Sequence, residues 1–256
     1  RKWSAGDLLV MEKRKNDRIA YGGYNVYGFD IGILMLDSKF PRIEGDVGNA
    51  KTWQYPVLYK KVPGGTPQKV VLELTEEDVQ PFIKSAIELE QKGVKAITTS
   101  CGFLALFQET LASAVHIPVF TSALLLVPFV SNLLGKGQKV GILTANKKTL
   151  SDRHLESAKV DKSKCVIIGL EEKENFTNFT VQNWDKVDVE LCREELCEAA
   201  QELMDTGEDL GAVVLECTNM PPFSEDIQRI TQLPVFDIVT LTNMVQSAWN
   251  PQRFLR

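Results

Sequence analysis

"VKAITTSCGFL" (residues 94–104) runs apolar, β-leaning residues into Thr98, Thr99 and Ser100 and then sets a cysteine directly before a glycine. Taken alone, the segment fits a buried core thiol as readily as a reactive one at a strand end. "GAVVLECTNM" (residues 211–220) repeats the arrangement, placing Cys217 after an apolar run 116 positions beyond Cys101. Two further words recur in the same order: "GIL" at Gly32–Leu34 returns at Gly141–Leu143, and "IPVF" ending at Phe120 returns as "LPVF" ending at Phe236. Cys101 to Pro118 and Cys217 to Pro234 are both 17 positions, while Gly32 to Cys101 is 69 and Gly141 to Cys217 is 76. Ordered matches at nearly equal intervals indicate two copies of one structural unit.

The unit alternates short β-branched runs with longer helical patterns, the signature of βαβ units and a parallel sheet. Strands are expected at 31–36, 96–99, 118–120, 140–145, 213–215 and 234–236, with a further short one at "PVLYKK" (56–61). "TEEDVQPFIKSAIELEQKG" (75–93) opens on a Thr-x-x-Asp capping pattern and "VELCREELCEAAQELMDTG" (189–207) keeps a 3.6 period; both end at glycine. The expected fold is α/β, with two pseudo-symmetric Rossmann-like lobes, parallel sheets and an active site in the cleft between them. Residues 41–68 are rich in glycine and proline and read as a long loop suited to binding or covering a site. The first 28 residues fit neither copy and read as an extension that packs with its tyrosines.

Composition narrows the function classes. With 29 Lys+Arg against 34 Asp+Glu, a formal charge of −5 and no basic stripe, nucleic acid is not an expected partner. The longest apolar-rich run, "TSALLLVPFV" (121–130), is too short to span a bilayer, so no membrane partner is expected either. The first residues lack the apolar core and cleavage site of a signal peptide, and five cysteines in no tight pattern suit reduced thiols; a cytoplasmic location is the expectation.

Ligands of open parallel sheets bind beyond the carboxyl ends of the strands, where loops lead into helix N-termini. Cys101 and Cys217 both fall there, and two facing units would set them opposite one another. A helix N-terminus is expected to lower each thiol's pKa, fitting one as base and the other as acid on opposite faces of a carbon. Cys192 and Cys197 in a helical pattern and Cys165 at a strand start read as small buried hydrophobes. His116 and His154 lie away from the expected crevice and lack the carboxylates or Cys-x-x-Cys that a metal site needs, so neither metal nor cofactor is expected.

The paired "TSCGF" and "ECTNM" signatures in a duplicated chain resemble the aspartate/glutamate racemase superfamily, which works without pyridoxal phosphate and also includes hydantoin racemases, maleate isomerases and arylmalonate decarboxylases. The resemblance runs from about residue 30 to 250. It implies an N-terminal extension over 1–29, a first lobe of 30–121 completed by 237–256, a second lobe of 122–236, and a homodimer. It implies Cys101 and Cys217 as catalytic residues, with Asp37 and Ser38 of "LDSK" matching the family's Asp-Ser pair. Ser100, Gly102, Thr218 and Asn219 beside the thiols become donors to a substrate carboxylate, with Thr144 the strand-end hydroxyl of the second copy. In the 41–68 loop, Arg42 could hold a carboxylate bidentately, and Asp46 or Asn49 an ammonium. Asn219 stands where many glutamate racemases carry histidine, and the glycine-rich stretch that follows Asp-Ser in them is replaced by "KFPRIEGDVGN".

The function this implies is cofactor-independent racemisation or epimerisation of a small carboxylate, such as the amino acids aspartate or glutamate, by two-cysteine proton transfer. Maleate-type isomerisation and arylmalonate-type decarboxylation on the same scaffold are the alternatives, and a two-lobed ligand-binding protein without turnover is a further one.

Overall fold

The computed structural model describes residues 22–252, so most of the 1–29 extension lies outside the described residues. Within its described part, Tyr24 and Tyr27 are exposed and meet edge to face at 5.5 Å between ring centroids.

Among the described residues, eight strands form two all-parallel sheets of four. The first takes β1 (Ile31–Met35), β2 (Val57–Lys61), β3 (Ala96–Thr99) and β4 (Val119–Phe120) in the order β2-β1-β3-β4. The second takes β5 (Lys139–Thr144), β6 (Cys165–Gly169), β7 (Leu210–Leu215) and β8 (Val235–Phe236) in the order β6-β5-β7-β8. The orders are identical once the copies are overlaid, as the repeated words require. In each sheet the chain moves from the first strand to one side and then crosses back to the other, so the crevice opens between the first and third strands. β1, β3, β5 and β7 are almost wholly buried, because a parallel sheet carries helices on both faces and its central strands see no water. The edge strands β2 and β6 are only half-buried.

The recurring glycine of "GIL" has a packing cause. A Cβ added at Gly32 would lie 3.0 Å from Leu89 Cδ1, and one added at Gly141 would lie 2.5 Å from Leu203 Cδ2. Leu89 belongs to the helix Gln80–Gln91 and Leu203 to the helix Val189–Asp205. In each lobe, then, a helix sits down on the central strand with a leucine packed over the glycine. The capping pattern at Thr75 is realised as a capping box with Asp78, but it heads a single 3-10 turn, Glu76–Val79, and the α-helix starts at Gln80 with Pro81 in its first turn.

The helix Leu126–Ser131 packs on β5 and β7, whereas the C-terminal helix Ile238–Trp249 packs back on β3. The latter is tied to the first sheet's side by Tyr55 Oη donating to Asn243 Oδ1 (2.8 Å) and Asn250 Nδ2 donating to Asp30 Oδ2 (2.7 Å). Among the described residues no helix is long and apolar enough to cross a membrane.

Candidate active site

Cys101 is the second residue beyond β3 and Cys217 the second beyond β7, so the duplicated topology delivers one thiol from each lobe to the shared crevice. Both are only 8% exposed. They line one small enclosed cavity of about 20 Å³, room for roughly one water, walled largely by apolar side chains such as Leu36, Phe40, Val71 and Val181. Ser100, Gly102, Thr218 and Asn219 also line the cavity.

The lobes are joined at the thiols themselves. Thr218 Oγ1 donates to the Ser100 carbonyl at 2.7 Å, and Ser100 Oγ accepts from the Leu36 amide at 2.9 Å. The two hydroxyls thus hold backbone to backbone. A Cβ at Gly102 would stand 2.2 Å from both the carbonyl oxygen and Oε1 of Glu216, so the first cysteine loop can approach the second only with glycine at this position. Cys217 Sγ donates to Asn219 Oδ1 (3.6 Å), Asn219 Nδ2 donates to Asp46 Oδ2 (2.5 Å), and Asp46 Oδ1 accepts from Arg42 Nη1 (2.9 Å) and the Gly48 amide (2.7 Å). A continuous polar chain therefore runs from the second thiol into the loop after β1.

That chain changes the reading of several expected substrate contacts. Arg42 spends its guanidinium on Asp46, on Ser38 Oγ (2.9 Å) and on the Phe40 ring 4.2 Å away, and it lies outside the cavity wall. Asn49 caps the turn Ala50–Thr52 and donates to the Arg42 carbonyl (2.8 Å), a loop-building role. Asp37 turns outward to Lys61 at 3.2 Å with its side chain 44% exposed, because the position after β1 that bears it faces solvent beside the edge strand. Thr144 donates to Glu216 Oε2 at 2.8 Å and so positions a side chain instead of meeting the cavity. The 41–68 loop is well packed, and only Pro67 of it lines the cavity: Asp46 and Val47 are buried, Thr52 ties both arms of its turn, and Gly45 abuts Pro222 of the second lobe.

Glu216, the residue that sequence reasoning passed over, is wholly buried and borders both thiols. An acid closing the apolar run "AVVL" immediately before a cysteine was the available signal. Its Oε2 accepts from Thr144 and from the Ala145 amide (3.4 Å), while Oε1 has no hydrogen-bond partner. Burial pushes its carboxyl up to about 7.

The expected lowering of the thiol pKa values is overturned. The amides of Phe103 and Leu104 do pull Cys101 downward, but burial first and the Glu216 carboxyl second outweigh them and push it up to about 12. Cys217 is raised well above the usual thiol value by the same two causes, against the Asn219 amide. The physical reason is that a short turn of backbone dipoles cannot replace the hydration that a thiolate loses in a closed cleft beside a carboxylate. Of the other cysteines, Cys192 is fully buried as expected, whereas Cys165 on edge strand β6 and Cys197 are only partly so. His154 packs on Phe103 at 5.2 Å, outside the cavity wall, and His116 is almost fully exposed. Among the described residues no three His, Cys, Asp or Glu side chains gather as a metal site.

Glu216 also links stability to pH. Folded, it keeps its proton to about pH 7; unfolded, it releases it near 4.5. Through this group the native state binds more protons in that window, and its contribution to stability, on the order of 3 kcal/mol, is lost as pH rises from about 4.5 to 7. Buried His154, held down at about 4, acts in the opposite sense between about 4 and 6.5, so the linkage is read as a difference between proteins. In thermal unfolding followed by circular dichroism, the wild-type midpoint should fall by several degrees relative to that of Glu216→Gln between pH 5 and pH 8; parallel pH profiles would refute the linkage.

Two like lobes that each deliver a strand-end thiol to a common cleft define a class of duplicated, two-lobed α/β scaffolds. The Asp/Glu/Hydantoin racemase family model matches residues 63–243, and the chain belongs to that family. Among known proteins, a dimethylsulfoniopropionate lyase of Durusdinium sp. clade D is 31% identical over 222 residues, covering 84% of this chain and 73% of that protein. Dimethylsulfoniopropionate lyase 6 of Emiliania huxleyi (strain CCMP1516) is 33% identical over 235 residues, covering 88% of this chain and 61% of the relative. The chain therefore spans roughly two thirds of the length of these relatives. A glutamate racemase from Bacillus anthracis superposes with a TM-score of 0.56 at 18% identity, over 86% of this chain and 82% of that one, a likeness of fold.

Proposed function

We propose that the protein is a lyase that eliminates dimethyl sulfide from dimethylsulfoniopropionate, with a cysteine of the Cys101–Cys217 pair as the base. Support comes from the names of the relatives above and from one observation on the site: both thiols are held neutral by burial and by a neighbouring carboxyl. Such a thiol gives up its proton when a positive charge enters beside it, and a sulfonium supplies that charge. A second negative charge, as on the side chain of aspartate or on a malonate, would oppose it.

The reaction then needs only groups of the site. The thiolate takes the proton from the carbon next to the substrate carboxylate, the C–H pair becomes the carbon–carbon double bond, and the C–S bond breaks with its electrons going to sulfur. Neutral dimethyl sulfide and acrylate leave, and the thiol returns its proton to solvent. Negative charge gathers on the substrate carboxyl as the proton departs, and backbone amides of the 101–104 and 217–219 turns are the donors placed to stabilise it. The expected racemase chemistry shares this first step, and the presence of two thiols keeps amino-acid racemisation as the second reading.

Purified protein incubated with dimethylsulfoniopropionate, without added metal or cofactor, should release dimethyl sulfide to the headspace and equimolar acrylate to solution. The proposal is overturned if no sulfide forms while aspartate, glutamate or a hydantoin exchanges its α-hydrogen in D₂O.

A further inference from the structure

Most polar side-chain atoms around the cavity are already committed. Asp46 accepts from Arg42, Gly48 and Asn219; Ser100 and Thr218 hold backbone; Thr144 holds Glu216. Glu216 Oε1 is different: it is fully buried, it belongs to a side chain that lines the cavity, a Cβ on Gly102 would stand 2.2 Å from it, and it has no hydrogen-bond partner. An ammonium presents three N–H donors and needs several acceptors, whereas among the buried side-chain oxygens and nitrogens of the cavity only Glu216 Oε1 lacks a partner. A trialkylated onium presents none and needs only a charge and an apolar wall. A lone carboxylate oxygen, next to Leu36, Phe40 and Val181, supplies that combination.

We propose that Glu216 is the specificity-determining residue of the site, its Oε1 facing the permanently charged, fully alkylated onium group of the substrate while Thr144 and Ala145 fix the other oxygen. This rests on the lyase reading for the identity of the substrate, but it concerns charge recognition and is tested by binding as well as by turnover. With the onium against Glu216 at the junction of the two cysteine loops, the acidic carbon of a three-carbon carboxylate is left between the thiols. Glycine at position 102 is what gives the carboxyl room to stand there.

The probes are two ligands of one shape: 3-(trimethylammonio)propionate, which carries the cationic head, and 4,4-dimethylpentanoate, the same carboxylate with an uncharged carbon head. Calorimetry at pH 8 should show the wild-type protein binding the cation at least tenfold more tightly. In Glu216→Gln that preference should fall to threefold or less, and the KM for dimethylsulfoniopropionate should rise at least tenfold. Glu216→Asp, which keeps the charge, should retain part of the preference. The same collapse is expected at pH 5.5, where Glu216 holds its proton. A thiol that ionises beside the cation would give the same trend, so this comparison is made in Cys101→Ala/Cys217→Ala, which keeps Glu216 and lacks both thiols. His154, packed on Phe103 and held down at about 4 by burial, does not change state between the two pH values. The pH comparison serves if the glutamine variant does not fold. Equal binding of the two ligands by wild-type protein at pH 8, or an undiminished preference in folded Glu216→Gln, overturns the inference. A wild-type protein that prefers the cation but releases no dimethyl sulfide would overturn the lyase reading and leave this one standing.

Discussion

Replacing the thiol that acts as base, in Cys101→Ala or Cys217→Ala, is expected to lower kcat for dimethyl sulfide release by about 10³-fold or more, the usual scale for loss of a positioned proton acceptor. The effects of the two substitutions should be unequal. Elimination removes one proton, and the departing sulfide is neutral and takes none, so the second thiol serves position and shape. Racemisation, by contrast, requires a proton on each face of the carbon and would fail equally without either thiol. Rates of both variants, read by headspace sulfide, decide this: wild-type rates in both would remove the pair from the mechanism, and matched losses would favour two-base chemistry. Both side chains are small and buried, so each alanine variant should stay folded, with stability lowered by about 1 kcal/mol as for the loss of a small buried group.

Asp46→Ala is expected to damage the fold near the site strongly. Its carboxylate is 1% exposed and accepts from Arg42, the Gly48 amide and, across the lobes, Asn219. Removing it strands a guanidinium that is 13% exposed and leaves a buried amide of Asn219 without a partner. Breaking one side of a buried ion pair typically costs about 3–5 kcal/mol. Urea unfolding should show a midpoint reduced accordingly with an unchanged m value, and Asp46→Asn should recover part of it by keeping the acceptor oxygen. Activity should fall as well, because Asn219 orients the Cys217 thiol. A loss under about 1 kcal/mol in Asp46→Ala would mean that the loop is not anchored through this carboxylate.

The fold was legible because its determinants are local and repeated. Short β-branched apolar runs and period-3.6 patterns name the strands and helices, and "GIL" recurs where a leucine of the covering helix packs on the central strand, Leu89 on Gly32 and Leu203 on Gly141. The positions of Cys101 and Cys217, two residues past equivalent strands, follow from the same duplication. The short β4 and β8 were visible only as "PVF", since a two-residue edge strand is defined by its neighbour's hydrogen bonds more than by its own residues.

What the sequence by itself determined is thus the duplicated α/β architecture and the presence of a thiol at the same point of each copy. Tertiary structure alone decided what those thiols are: neutral, closed in by two lobes, and neighbours of Glu216. It also turned Arg42 and Asn49 into supports for the loop after β1, Thr144 into a support for Glu216, and Asp37 toward solvent. The reason is physical. Periodicity records which residues face a core within one copy, whereas pKa values and hydrogen-bond partners depend on desolvation and on contacts such as Asn219 to Asp46, 173 residues apart, that exist only once the copies meet.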